Sequence, residues 1–228
     1  MQNVCFLKVF GNKVAYESDA TATGKLIPKD GKSFQILITN DNPDIDSLTL
    51  EKKLIRQALY EYEKQIGYGI KIYHEFDIAD YADTGIDIWI DFRDKDPYFT
   101  DNILAYAGFP NGSLRGKLVF NNKHIWLDGY NISGKKAKEL GLVEDAADDS
   151  QLATWNVRQT TKHEMGHILG LEHNLINEQS VMNAYYGKLR TMFGDKDKEV
   201  LNLKYGKASF IQRAKPDSYI KSVMSRKL

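Results

Sequence analysis

The chain holds a single cysteine, Cys5, in 228 residues. An internal disulfide is thereby excluded. The cysteine count gives no guide to compartment, since chains with one thiol occur in reducing and oxidising locations alike. Net charge is missing as well: 31 Lys and Arg balance 31 Asp and Glu, so no long-range field points to nucleic acid or to an anionic membrane. No apolar run reaches the length of a membrane span. Met1 to Phe10 lack the basic start and long apolar stretch of a signal peptide. The protein is either not exported by that route or has had such a segment removed, and its location stays open. Repeats and low-complexity tracts are absent, and the glycosylation-like patterns at Asn111 and Asn131 carry no weight without an export signal. What remains, 42% hydrophobic and 27% charged, is a soluble globular chain with a substantial core, expected to be a monomer.

Histidine is scarce too, yet three of the five sit in one eleven-residue stretch, His163-Glu164-Met165-Gly166-His167-Ile168-Leu169-Gly170-Leu171-Glu172-His173. In a helix, His163 and His167 stand one turn apart on the same face, so both imidazoles can reach one ion. Glu164 borders that face and can hold a water on the metal without ligating it. Gly170 falls where the helix must stop, because a sharp reversal needs a residue tolerant of positive φ. That reversal would return His173 as a third ligand. Three protein nitrogens with one position open is the arrangement of a catalytic zinc, not of a closed structural one.

Along the chain, residues 1–33 read as an N-terminal extension, with Val4 to Phe10 and Lys13 to Tyr16 flanking Gly11-Asn12 as a small hairpin. Phe34 to Thr39 is a strand, and Ser47 caps a helix to about Ile66 with Leu50, Leu54, Ile55, Ala58, Leu59 and Tyr62 on one side. Ile70 to Phe76 and Ile86 to Phe92 alternate as half-buried strands, with His74 expected at the surface. Residues 129–152 form a long connection whose acids Asp145, Asp148 and Asp149 precede a helix expected from about Gln151. Residues 207–228 are a basic C-terminal extension with a short amphipathic helix after Pro216.

The eleven-residue signature resembles that of the metzincin zinc endopeptidases, and Ser180-Val181-Met182-Asn183 looks like their methionine-containing turn, in which Met182 would be an apolar floor under the zinc. The order strand, "NPD", helix, strand, then "IDIWIDF", "LAYAGFP", "GKLVFNNKHIW" and a last helix ending in "KYG" is similar to the matrixin catalytic domain, over about residues 34–206. The resemblance implies an α+β zincin-like fold: a mixed, twisted sheet of about five strands, an active-site helix and a C-terminal helix. It also implies that substrate adds as a strand along Leu104-Ala105-Tyr106-Ala107, with Leu104 and Ala105 nearest the cut bond, and that Tyr186 walls the pocket beyond it. Matrixins carry a structural zinc and a calcium, but the matching positions here are Tyr106, Val119, Asn121 and His124, so neither ion is expected. The loop is then expected to rest on ordinary packing, anchored by Trp126. Two readings of the N-terminal segment are open. One is an extra strand pair, which the residues favour. The other is a pro-segment over the cleft with Cys5 as a zinc thiolate, although the residues around Cys5 do not resemble the cysteine-switch motif.

These readings converge on an endopeptidase that holds one Zn2+ on His163, His167 and His173, uses Glu164 as general base and takes a protein or peptide as substrate. Two rivals stand beside it: a catalytically idle zinc scaffold that grips a partner through the cleft, and a zinc amidase acting on cell-wall amide bonds.

Overall fold

The computed structural model describes residues 3–207 apart from 11–12, 19–20, 22, 41, 46–47, 76–84, 101, 130–131, 144–146, 148–149, 187–189 and 191. The expected turn at Gly11-Asn12, the cap Ser47, the acids 145, 148 and 149 and the basic stretch from residue 208 lie outside the described residues.

Seven strands make the main sheet: β1 (Val4–Phe10), β2 (Lys13–Ser18), β3 (Ser33–Thr39), β4 (Gly69–His74), β5 (Ile88–Arg93), β6 (Ile103–Gly108) and β7 (Lys117–Asn121). Their order is β2-β1-β6-β7-β5-β3-β4. β3 runs parallel to β4 and β5, and β5 parallel to β7. From β7 onward the neighbours β6, β1 and β2 alternate in direction. The sheet is mixed, as expected, but larger than the five strands anticipated. Those five are β3 to β7, and the two extra strands come from the N-terminal segment.

Helix α1 (Leu48–Gln65) covers one face of the sheet, with Leu54, Ile55, Ala58, Leu59 and Tyr62 buried and Leu50, in the first turn, exposed. Helix α3 (Val157–Ile168) packs beside it and buries Val157, Met165 and Ile168; between them in sequence comes a short α2 (Gly134–Glu139). Helix α4 (Asp195–Tyr205) adds Leu201 and Tyr205, whose hydroxyl donates to Leu169 O at 3.0 Å. The core lies between the sheet and these helices, with Phe34, Ile36, Ile38, Ile90, Phe92 and Phe120 among its members.

Several local readings are corrected. His74 is fully buried, not at the surface. Side chains alternate along a strand, so His74 shares the face of Ile70 and Ile72, which pack on the core. The zinc-motif helix begins at Val157, not near Gln151. Gln151–Leu152 (β10) and Thr154–Asn156 (β11) are strands, β10 antiparallel to Ile132–Ser133 (β9) and β11 parallel to Ile125–Leu127 (β8). Asn156 then caps α3, its side chain accepting from Gln159 N at 2.8 Å. α2, capped by Ser133, interrupts what reads as an unbroken connection.

The loop after β5 is held by more than packing. Trp126 is buried, with Nε1 donating to Asn121 O at 3.0 Å and its ring edge-on to Phe120. Arg93 also bridges Asp91 and Asp96, and the Tyr106 hydroxyl donates to Asp96 at 3.0 Å. Tyr106 and Val119 join Val4, Tyr98 and Phe99 in a separate apolar cluster.

Candidate metal centre

The centre is built by α3 and the two segments that follow it. Gly170 ends the helix at φ +86°. Gly170 N donates to His167 O at 2.9 Å and Leu171 N to Gly166 O at 2.8 Å, the paired bonds of a Schellman stop. The reversal does two things. It carries His173 back until its Nε2 lies 3.2 Å from His167 Nε2, and it brings Leu171 O to 2.8 Å from His167 Nδ1. A side chain at 170 would also meet Lys204 Nζ at 2.7 Å and Gly24 O at 2.8 Å, so glycine is required there on two counts.

The segment around Met182 supplies the matching support for His163. Val181 O lies 2.6 Å from His163 Nδ1. That carbonyl is held in place by a buried hub at Asp197, which accepts from Ser180 Oγ, from Asn174 Nδ2 at 3.0 Å and from Gly194 N at 2.7 Å. Ser180 Oγ in turn accepts from Met182 N at 2.9 Å, and Asn174 N donates to Met182 O at 2.8 Å. Met182 is fully buried against Gly166, between the two helical histidines.

The tautomers follow. A carbonyl oxygen only accepts, so Nδ1 of His163 and of His167 each carries its proton, and each Nε2 presents a lone pair. His163 Nε2 and His167 Nε2 are 3.0 Å apart, with no hydrogen between them in that state. Burial and the neighbouring imidazoles hold His163 and His167 well below the usual histidine range, and burial puts His173 at about 4. The lone pairs of His163 and His167 thus face each other without a proton between them, a repulsion that a cation in the middle would relieve, and Nε2 of His173 lies 3.2 Å from His167 Nε2 as the third donor. Zinc–nitrogen bonds of about 2.0 Å in a tetrahedron place nitrogens about 3.3 Å apart, so the donor set fits that ion.

Glu164 adds a second sign. It is fully buried, and neither carboxylate oxygen has a hydrogen-bond partner among the described residues. Burial pushes its pKa well above the usual carboxylate range. A carboxylate so placed is costly unless something polar occupies the space it faces.

The structure brings His163, His167 and His173 together as the spacing predicts, puts Met182 against Gly166 of the same helix, and adds a neighbour from far away in sequence. Cys5 Sγ lies 3.6 Å from His173 Nε2, and its sulfur and the three imidazoles all lie within 4.8 Å of one another. Tyr16 stacks flat on His163, ring centroids 3.4 Å apart and 9° from parallel. Leu104 and Ala105 are fully buried, and β6 is not the free sheet edge expected of it, because β1 is bonded along it. Tyr186 packs on Tyr16, and its hydroxyl accepts from Asn156 N at 2.7 Å. A hollow of about 340 Å³, lined by Gln57, Glu61, Arg158 and Lys162, touches none of these cleft residues. Sequence reasoning missed the carbonyls of Leu171 and Val181, the Asp197 hub and Tyr16. Only Asp197, an acid in the first turn of a helix, carried any signal.

The matrixin family model matches residues 29–206, more than half of the chain. No curated protein matches it.

Proposed function

The chain belongs to the matrixin family, and on that premise we propose that it is a zinc-dependent endopeptidase that cuts internal peptide bonds, with Glu164 as its general base. One observation carries the reading: three Nε2 atoms converge, two of them on fully buried histidines, and the chain neighbour of the first is the buried Glu164, whose carboxylate has no hydrogen-bond partner among the described residues.

His163, His167 and His173 would hold the ion, the first two locked in the ligating tautomer by Val181 O and Leu171 O. Zinc bound there supplies Lewis acidity, which acidifies a water and polarises the scissile carbonyl. Glu164 takes the proton from the attacking water and passes it to the leaving nitrogen, so that one carboxyl serves first as base and then as acid. Its buried setting favours the protonated form, which helps it accept the proton and hold it until the amine departs. Leu104 and Ala105 on β6 would bind the substrate backbone as an added strand only in the place that β1 takes, and Tyr186 would wall the pocket beyond the cut.

The test joins metal analysis to a digest. The purified chain is expected to hold one zinc, lost in His163→Ala. A broad peptide library is digested before and after limited proteolysis of the chain, with and without a chelator. Glu164→Gln should keep its zinc and lose about 10²–10⁴ in turnover. Undiminished turnover in that variant would refute the assignment of the base. Tight partner binding indifferent to the change would favour the idle scaffold, and cleavage confined to cell-wall amides would favour the amidase.

A further inference from the structure

The hollow of about 340 Å³ is lined by α1, by α3 and by the segment that carries Arg190. Charge sets it apart. Among the described residues its lining holds three cations, Arg158, Lys162 and Arg190, against one acid, Glu61. That is an excess of two positive charges in a chain whose net charge is zero. Helix geometry groups these residues. Gln57 and Glu61 stand one turn apart on α1, and Arg158 and Lys162 one turn apart on α3. For Arg158 and Lys162 that spacing sets like charge beside like charge, which is unfavourable on its own.

Each cation is anchored by a group that does not line the hollow. Arg158 Nε lies 3.0 Å from Asp128 Oδ1, close enough for an ion pair but not aligned as a hydrogen bond, so this buried nitrogen has no hydrogen-bond partner among the described residues. The Lys162 ammonium sits over the Phe193 ring, 4.9 Å from its centroid. Arg190 Nε donates to Glu178 O at 2.6 Å and Nη1 to Tyr185 O. Gln159 Oε1 accepts from Arg190 N at 3.1 Å and ties that segment to α3. Carbonyls and an aromatic face orient a cation without cancelling its charge. Lys162 and Arg190 are only 4% and 8% exposed, so solvent screens them little. Glu61 is itself engaged by Lys64 at 3.2 Å. A positive field is thus fixed in place before any ligand arrives, which lowers the ordering cost of binding one.

We propose that this hollow is a binding site for a doubly charged tetrahedral oxyanion, a phosphate or sulfate group, with Arg158, Lys162 and Arg190 as its counter-charges and the Gln57 amide as a further donor. The excess of two positive charges matches a dianion, and guanidinium forks suit its oxygens. The volume lies at the lower end of small-ligand sites, about 300–1,000 Å³, which leaves room for the group and a short ester tail. The site does not depend on the peptidase reading, because none of its residues is a metal ligand or the proposed base.

The full chain, stripped of metal and dialysed free of chelator, is titrated by calorimetry with inorganic phosphate, sulfate and phenyl phosphate at constant ionic strength. Metal is removed because phosphate also coordinates zinc. One phosphate or sulfate should bind per chain with a Kd of about 1 mM or tighter. Arg158→Gln and Lys162→Gln should each weaken binding about tenfold or more. In nitrogen-15 spectra of the unmodified chain, the side-chain Nε resonances of Arg158 and Arg190 should move as phosphate is added, a reading that stands should a variant fail to fold. Phenyl phosphate binding tighter than phosphate assigns the group to the end of a small ester, and the reverse assigns it to the free ion; both uphold the site. Binding weaker than about 1 mM, binding that both folded variants retain in full, or shifts that spare both arginines overturns it.

Discussion

Gly166 lies between the two helical histidines, and replacing it with alanine tests how the centre is supported from below. An ideal Cβ at this position would sit 2.8 Å from Met182 Cε, 2.8 Å from Tyr62 Oη and closer still to Met182 Sδ. Neither neighbour can step aside freely. Met182 is fully buried, and the Tyr62 hydroxyl is tied to Lys162 O at 2.5 Å. Forcing a methyl into a close-packed site costs about 1–3 kcal/mol, against which alanine returns about 1 kcal/mol of helix propensity. Contacts this short call for the upper part of that cost, about 2–3 kcal/mol, so the net expectation is a loss of about 1–2 kcal/mol, or roughly 2–8 °C in Tm for a domain of this size. Because Met182 is bonded through Ser180 and flanks Val181, its displacement also moves the carbonyl that fixes His163. Metal affinity should fall about tenfold or more. The assays are calorimetry of the chelated protein and zinc competition with a chromophoric chelator. Pairing Gly166→Ala with Met182→Ala should recover about 1 kcal/mol or more of the loss expected from adding the single effects. A Tm for Gly166→Ala at or above that of the unmodified chain would refute the argument.

Two further outcomes are expected. Asp197→Ala strands three donors, on Ser180, Asn174 and Gly194, in a buried setting. Stability should fall by about 3–5 kcal/mol and zinc affinity with it, whereas a surface-like change under 0.5 kcal/mol in denaturant unfolding would show that the hub holds nothing. The metal-free chain should also be acid-sensitive through His173. Its folded pKa of about 4 lies below the unfolded 6.5, so on acidification the unfolded state takes the proton first. Stability is therefore lost as pH falls from about 6.5 to about 4, by about 3 kcal/mol in all at about 1.36 kcal/mol per unit. Urea unfolding with chelator at pH 7 and pH 4.5 should show this excess loss relative to His173→Gln; equal losses in the two proteins would sink it.

What the sequence makes legible is what short spacing controls. His163, His167 and Gly170 are set by the helical repeat and a positive-φ stop, and the structure puts them where the repeat does. α1 and the strands β3, β4 and β5 follow from apolar periodicity in the same way, whereas β6 was marked only by the resemblance to matrixins. Thr154–Asn156 reads as helix from the sequence because a three-residue strand leaves no period to detect, and its parallel partner lies at Ile125–Leu127. His74 reads as a surface residue because alternation tells which residues share a face but not which face meets the core. The Arg93–Asp96–Tyr106 network spans three separated residues, and only its departure from the matrixin pattern marked the place.

The N-terminal hairpin is the instructive case, because its strands were legible and its position was not. Val4 to Leu7 pair with residues about a hundred positions away, and nothing local names that partner. Strand pairing nonetheless has a physical selector. An unpaired sheet edge presents a row of N–H and C=O groups that must find partners, and without β1 and β2 the strand at this end of the sheet is β6. Residues 184–186 face the same space and offer a second row, which β2 takes up. The pairing of β1 and β2 is thus selected by the two rows it satisfies, not by any local signal in residues 4–18. A change that weakens the pairing through β6 should therefore loosen β1 and β2 together, since β2 is joined to the sheet through β1.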